Sequence, residues 1–298
     1  MTASKFFHVS PIAQGVTCIT GLGGEHCYLV EGAERALLID TLTGAGNLKA
    51  FVRELTDLPV VVVNTHGHLD HCGGNFEYGE CYIHPDDARL IYEHGSVEVR
   101  KGFVDSMRHA LLNPPAVTIE DFMPPVAIKT YPVYDGDIFD LGGRQLEVIG
   151  VPGHSAGTIV LLDRELRAVF SGDACNANTL LCIDHSTSIE EYLDSLHHLQ
   201  SYSSAYDAFY GGHGVGPVPA VIVDEAILLC HEIMEGRDDQ IKSVYSSMHC
   251  YYAKAKGEHF NRLDGKIANI AYIKEKITRS APVKRIVGKP LVEEKMEF

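Results

Sequence analysis

Short apolar runs separated by glycines predict a strand-rich first part of the chain. Three of them, at residues 16–20, 26–31 and 35–40, alternate or run apolar and indicate a β-meander. Residues 46–57 carry apolar side chains at helical spacing, and the four valines at 60–63 then predict a buried strand. The resulting order is strand, helix, strand.

The second half of the chain returns to the strand pattern and adds two helices. Predicted strands lie at residues 127–132, 138–141, 145–151, 158–163, 168–171 and 208–210. Ser188 and Glu191 have capping-box spacing at the start of an amphipathic helix, and residues 221–234 predict another. After Gly236 the pattern mixes tyrosine-rich, strand-like pieces with charged stretches.

Length and composition narrow the functional classes. The chain has 298 residues, of which 45% are hydrophobic, and this is enough for a real core. The formal net charge of −15 argues against nucleic acid or an anionic membrane as a partner, because both would repel the protein. The amino terminus lacks the apolar segment of a secretory signal, and no apolar run reaches the about 18 residues of a membrane span.

Cysteine usage indicates a reducing compartment. Eight cysteines are scattered along the chain without a C-x-x-C pair, so we expect reduced thiols and a cytoplasmic location. Cys72 and Cys175 stand close in sequence to metal-ligand candidates. Each is a candidate either for lining the site or for packing as a small apolar residue.

The candidate chemistry centres on residues 60–75, VVVVNTHGHLDHCGGN. Glycines after the buried strand force the backbone to turn tightly around three histidines and a carboxylate, which are His66, His68, Asp70 and His71. Imidazole and carboxylate ligands suit transition metals such as zinc and iron, so the cluster predicts a metal site. His66 and His68 point to the same side of an extended segment, whereas the other two follow the turn, which indicates two metal positions.

The motif H-x-H-x-D-H after a hydrophobic strand, here HGHLDH followed by CGGN, resembles that of the metallo-β-lactamase superfamily. The resemblance predicts further ligands downstream, and the segments VPGHSAGTIVLLD, AVFSGDAC and FYGGHGVGP supply them. These ligands are His154, Asp173 and His213, each after an apolar run. The matching blocks span about residues 16–216, and all seven positions of the family's dinuclear pattern are occupied.

The resemblance implies a fold and a metal arrangement. The implied fold class is α/β (α+β), an αββα sandwich of two face-to-face sheets with helices outside and metals at one edge. By matching position, the first metal is held by His66, His68 and His154, and the second by Asp70, His71 and His213. Asp173 bridges the two, and Asp70 is also the candidate catalytic residue. Zinc fits these ligands best, with iron and manganese as alternatives.

The implied activity is hydrolysis by a metal-bound hydroxide. We expect a small-molecule substrate with a carbonyl ester, thioester or lactone. A phosphodiesterase or nuclease of the same fold and a metal-binding sensor without turnover stay open as alternatives. Asp173 disfavours antibiotic hydrolysis, because the zinc β-lactamases lack a bridging Asp there. Asn176 stands where lactonases of acyl-homoserine lactones carry tyrosine, which weakens the case for a lactone.

The same comparison predicts the domain organisation. Residues 1–236 are expected to form the catalytic domain and 237–298 an extension packed on it, with a terminal strand or a homodimer contact at 282–298. Residues 85–125 are interpreted as a lid-like insertion over the metal cleft, with helical patterns at 86–94 and 97–112 and then four prolines. The candidate substrate contacts are Tyr92, Phe103, Met107 and Asn176.

Overall fold

The chain divides into two units in the computed structural model, which describes residues 4–107, 115–214, 216–245, 248–257 and 261–279. The first unit comprises Met1–Val133, Ile138–Glu147 and Gly212–Val215. The second comprises Tyr134–Asp137, Val148–Gly211 and Gly216–Phe298. The domain boundary expected at 236 and 237 therefore stays a prediction.

A seven-stranded sheet forms the core of the first unit, with its strands in sequence order. The strands are β1 His8–Ala13, β2 Val16–Thr20, β3 His26–Glu31, β4 Ala36–Ile39, β5 Val60–Val63, β6 Glu80–Ile83 and β7 Lys129–Pro132. β1 to β4 pair antiparallel, as expected of a meander, and β4 to β7 pair parallel. All four residues of β4 are buried. The end of β5, where the candidate ligands begin, therefore has parallel neighbours on both sides.

Short helices follow the strands of this unit. Those described are α1 Leu48–Arg53, α2 Leu69–Cys72, α3 Asn75–Tyr78, α4 Leu90–Glu93 and α5 Val97–Met107. The helix predicted at 46–57 is confirmed as α1, which begins where the Asn47 side chain accepts the Ala50 N–H. The pattern at 86–94 gives only α4, because residues 84–89 form turns. Of the helix predicted at 97–112, residues 108–112 lie outside the described residues.

A six-stranded sheet has the order β14-β13-β11-β10-β9-β8. Its strands are β8 Ile138–Asp140, β9 Gln145–Gly150, β10 Ile159–Asp163, β11 Ala168–Gly172, β13 Ala208–Gly211 and β14 Val218–Pro219. The helices α6 Ile189–Gln200 and α7 Ile222–Met234 belong to the second unit, and their apolar faces join one core cluster with β10 and β11. The predicted capping box is confirmed, since Ser188 and Glu191 exchange hydrogen bonds at the start of α6.

A four-stranded sheet in the second unit includes residues from the predicted extension. Its order is β12-β17-β16-β15, formed by β12 Thr179–Leu181, β17 Ile270–Tyr272, β16 Met248–Tyr252 and β15 Ile241–Tyr245. β17 pairs parallel with β12, with Ala271 opposite Leu180. The tail at 282–298 lies outside the described residues. In the described ranges no helix is both long and apolar enough to cross a membrane.

Candidate metal centre

The turn after β5 carries four of the ligand candidates within the first unit. His66 and His71 are fully buried, and His68 and Asp70 are nearly so. The ring centroids of His66 and His68 lie 4.7 Å apart, and those of His66 and His71 lie 4.0 Å apart. The sequence-based expectation that imidazoles crowd one strand end is therefore met.

Asp70, His71 and His213 form a group with the spacing of metal ligands. Asp70 Oδ2 lies 3.1 Å from His213 Nε2 and 3.9 Å from His71 Nε2. One ligand atom of each residue lies within 4.8 Å of the others. Ligand atoms around a tetrahedral zinc ion lie about 3.4 Å apart. Small side-chain adjustments would therefore let these three residues bind one divalent cation.

Asp40, at the end of β4, orients His71. Its Oδ2 lies 2.8 Å from His71 Nδ1, and its Oδ1 accepts the Thr65 backbone N–H. A carboxylate at Nδ1 fixes the neutral tautomer that carries its proton there, so that Nε2 keeps the lone pair a metal needs. Asp40 has a left-handed backbone with φ of 65°, a strained conformation that the surrounding contacts must hold.

His66 is oriented through the same carboxylate. The Thr65 hydroxyl donates to Asp40 Oδ2 at 2.8 Å, and Thr65 Oγ1 lies 3.1 Å from His66 Nδ1. Because the hydroxyl proton points at Asp40, the hydroxyl oxygen accepts the Nδ1–H of the neutral imidazole. The nitrogen of His66 that is available to a metal is then Nε2, as for His71.

The second unit places His154 and Asp173 close to each other. His154 Nδ1 donates to the Leu180 carbonyl at 2.9 Å, which again leaves the lone pair on Nε2. That Nε2 lies 3.6 Å from Asp173 Oδ2. Asp173 directly follows β11, as the sequence pattern predicts, and both residues are largely buried. The pair has the chemistry and spacing of two ligands.

The Asp70 carboxylate is stabilised in its ionised form. Burial alone raises its pKa, but His71 and His213, including the hydrogen bond from His213, together with His68, outweigh that effect. The pKa of Asp70 is therefore held well below its usual range. At neutral pH this side chain is an anion that can bind a cation or accept a hydrogen bond, and it is not an acid that donates a proton.

The candidate substrate contacts have different surroundings. Tyr92 and Met107 are 47% and 43% exposed, and the Tyr92 hydroxyl accepts the Ile128 N–H. Phe103, on α5, faces Gly23, where an added Cβ would lie 3.0 Å from the ring. Asn176 Nδ2 lies 3.5 Å from Asp173 Oδ1. Substrate contact by any of these residues stays a prediction.

The cysteines near the ligands act as packing residues. The Cys72 thiol donates to the Gly67 carbonyl, and the Cys175 thiol points at the Ile222 carbonyl. Burial raises the pKa of both thiols, to about 12 for Cys175. Both therefore stay protonated at neutral pH, in the form that binds metals poorly.

The residues that support the candidate ligands are not evident from the sequence pattern. Asp40 is the last residue of the strand predicted at 35–40, and the pattern does not mark it as a support. Asn64 and Thr41 donate hydrogen bonds to the His71 carbonyl and so stabilise the turn that carries His66 to His71. The available signal was topological: β4 is the parallel neighbour of β5, so polar residues that follow both strands meet at one sheet edge.

The sequence is similar to a known protein family and to individual members of known activity. The sequence model of the metallo-beta-lactamase superfamily matches residues 20–213. The chain is 29% identical over 214 residues to the acyl-coenzyme A thioesterase MBLAC2 of Gallus gallus, an alignment that covers 67% of this chain and 76% of that protein. It is 27% identical over 150 residues to the hydroxyacylglutathione hydrolase GloC of Haemophilus influenzae, with 50% of this chain and 66% of that protein covered.

A solved structure shares the fold. A metallo-beta-lactamase from Pontibacter korlensis superposes with a TM-score of 0.54 at 20% identity, covering 74% of this chain and 97% of its own. At this level of identity the similarity concerns the fold alone. The α/β fold class predicted from the motif is therefore confirmed.

Proposed function

Because the chain belongs to the metallo-beta-lactamase superfamily, we propose that it is a metal-dependent hydrolase of acyl thioesters. The proposal rests on one observation above all: Asp70, His71 and His213 lie at ligand spacing, and His71 is held by Asp40 in the tautomer that binds a cation. Among the three carbonyl classes expected from the sequence, thioesters are favoured because a relative is named an acyl-coenzyme A thioesterase.

The proposed metal set has seven residues. Following the family pattern, His66, His68 and His154 would hold one divalent cation, Asp70, His71 and His213 would hold a second, and Asp173 would supply a carboxylate shared by the two. The donor set fits, since neutral imidazoles and carboxylates suit zinc, iron and manganese. When bound, such cations acidify a water molecule and polarise the carbonyl group of the substrate.

The residues of the chain have distinct tasks in this proposal. Asp40 and the Leu180 carbonyl keep His71 and His154 in the Nδ1–H tautomer throughout a reaction cycle. Asp70 stays ionised, because its pKa is far below neutral. It therefore accepts a hydrogen bond at its carboxylate and does not protonate a leaving group.

An ionised Asp70 favours a thioester over an alkyl ester as the substrate. A departing thiol has a pKa of about 8.5, so it leaves as a thiolate without protonation. A departing alcohol has a pKa near that of water, about 16, and needs an acid. A site whose carboxylate is held ionised is thus better suited to the thioester.

A side-by-side substrate screen tests the proposal. Metal-replete protein should hydrolyse acyl thioesters faster than the matching alkyl esters, lactones and bis-p-nitrophenyl phosphate, with the released thiol measured by a chromogenic disulfide. Asp173→Ala should lose metal and activity together, since it removes the proposed bridge. Phosphodiester turnover well above every carbonyl substrate would refute the proposal, as would full activity of the metal-free protein.

A further inference from the structure

One residue, His26 at the start of β3, holds the loop that presents His213. The backbone N–H of His26 donates to the Gly212 carbonyl at 2.8 Å. Its ring Nε2 lies 2.8 Å from the Gly214 carbonyl oxygen. The residues before and after His213 are therefore both bound to His26, and all of these residues belong to the first unit.

The ring of His26 has a defined tautomer in this arrangement. A carbonyl oxygen only accepts, so Nε2 must carry a proton and donate it to Gly214. Nδ1 of the neutral ring is then an acceptor, and it lies 2.9 Å from the Thr20 hydroxyl, which donates. Thr20 on β2 faces His26 in the antiparallel register, so two strands fix the ring.

The loop needs such support more than the other ligand segments do. His213 lies between two glycines, and Gly214 has a φ of 102°, a conformation that glycine adopts at little cost. The His213 side chain is 30% exposed, whereas that of His71 is fully buried. Packing therefore restrains His213 less than His71, and the hydrogen bonds to its flanking carbonyls supply the restraint.

We propose that His26 is a positioning residue that fixes the His213 imidazole for binding of the second cation. It acts through the carbonyl groups of Gly212 and Gly214 and does not itself bind the cation. This inference rests on the proposed metal set, in which His213 completes the group with Asp70 and His71.

The test is the zinc affinity of each site, measured by titration of the metal-free protein against a competing chelator. His26→Ala should weaken one of the two sites about 10- to 100-fold, the usual effect of removing a residue that supports a ligand, and leave the other unchanged. His26→Gln should regain most of the affinity, because its amide N–H can reach the Gly214 carbonyl. His8→Ala, which removes an exposed histidine of the same sheet, is the matched control.

Further variants separate a failure of this inference from a failure of the proposed function. His213→Ala should abolish one site outright. If the wild-type protein binds fewer than two zinc ions, or if His213→Ala binds as many as wild type, the metal set itself is wrong. If both behave as expected and His26→Ala matches wild type at both sites, only the role of His26 is overturned.

If His26→Ala does not fold, His26→Asn and His26→Gln provide a second comparison. Asn at position 26 is shorter than Gln and does not reach Gly214, so His26→Asn should bind the second zinc ion more weakly than His26→Gln. Equal affinities of these two variants would overturn the proposal. Circular dichroism and the thermal midpoint of each variant establish that the folded protein is being compared.

Discussion

Single residues determine which ring nitrogen of a candidate histidine ligand is available to bind a cation. Asp40 accepts a hydrogen bond from His71 Nδ1, and the Leu180 carbonyl accepts one from His154 Nδ1. A histidine held in this way presents Nε2 without a change of tautomer when a cation arrives. Asp40 retains a strained left-handed backbone, which indicates that its position matters more than local stability.

Asp40→Asn tests this orientation at the residue scale. Asn tolerates a left-handed backbone, so the change mainly replaces an acceptor of the His71 proton with an amide. We expect about 10- to 100-fold weaker zinc binding with little change in the far-ultraviolet circular dichroism spectrum. Asp163→Asn is the matched control, because this buried carboxylate accepts the Leu166 N–H at the turn after β10. Unchanged zinc affinity in Asp40→Asn would show that the carboxylate does not orient a ligand.

At the scale of elements, local signals were predictable and distant contacts were not. The strands β2 to β5, the turn at 66–71 and the capped start of α6 follow from periodicity, glycines and capping residues. Arg100 on α5 shows what such local signals cannot predict. It is fully buried and donates to the carbonyls of Gly73 and Thr43, 27 and 57 residues away in sequence. Periodicity predicts the helix but cannot reveal such a contact.

The described part of the insertion is fixed to the ligand turn through this arginine. Arg100 also donates to the carbonyls of Gly95 and Met123, near the two ends of the segment. Phe122 is buried in a cluster with Val104 and Val117. α5 is thus a structural support for the turn that follows His71. A role of residues 85–125 as a lid stays a prediction.

Arg100→Met should destabilise the protein strongly. The change leaves buried carbonyl groups without a charged donor, so we expect the free energy of unfolding to fall by about 3 kcal/mol in urea denaturation. Lys101→Met on the same helix removes a partly exposed pair with Asp105, and should cost less than about 1 kcal/mol. Equal denaturation midpoints for the two variants would contradict the role given to Arg100.

At the scale of the whole molecule, the family and the chemistry class were accessible from sequence. The superfamily resemblance is confirmed by a match over residues 20–213, and the relatives support the assignment as a hydrolase. The motif was sufficient for this assignment because its candidate ligands all follow strands, where side-chain direction is predictable. The division into units was not predicted, because residues 212–214 belong with the first unit despite following β13 of the second. Which unit a segment joins depends on tertiary contacts, which the sequence pattern does not show.

The thiols of the whole chain should be unreactive in the native protein. All eight cysteines are free and buried, and burial raises the pKa of thiols such as Cys182, to about 12. A raised pKa makes the thiolate rarer at a given pH, so at pH 8 it is about one molecule in ten thousand at this site. The native protein should therefore react with a chromogenic disulfide only as fast as it opens, and release eight equivalents once denatured. Ser106→Cys adds an exposed thiol on α5 and should give one fast equivalent. If the unaltered protein also releases one equivalent quickly, one of its cysteines is accessible in the native state, and the prediction that all eight thiols are protected by burial is wrong.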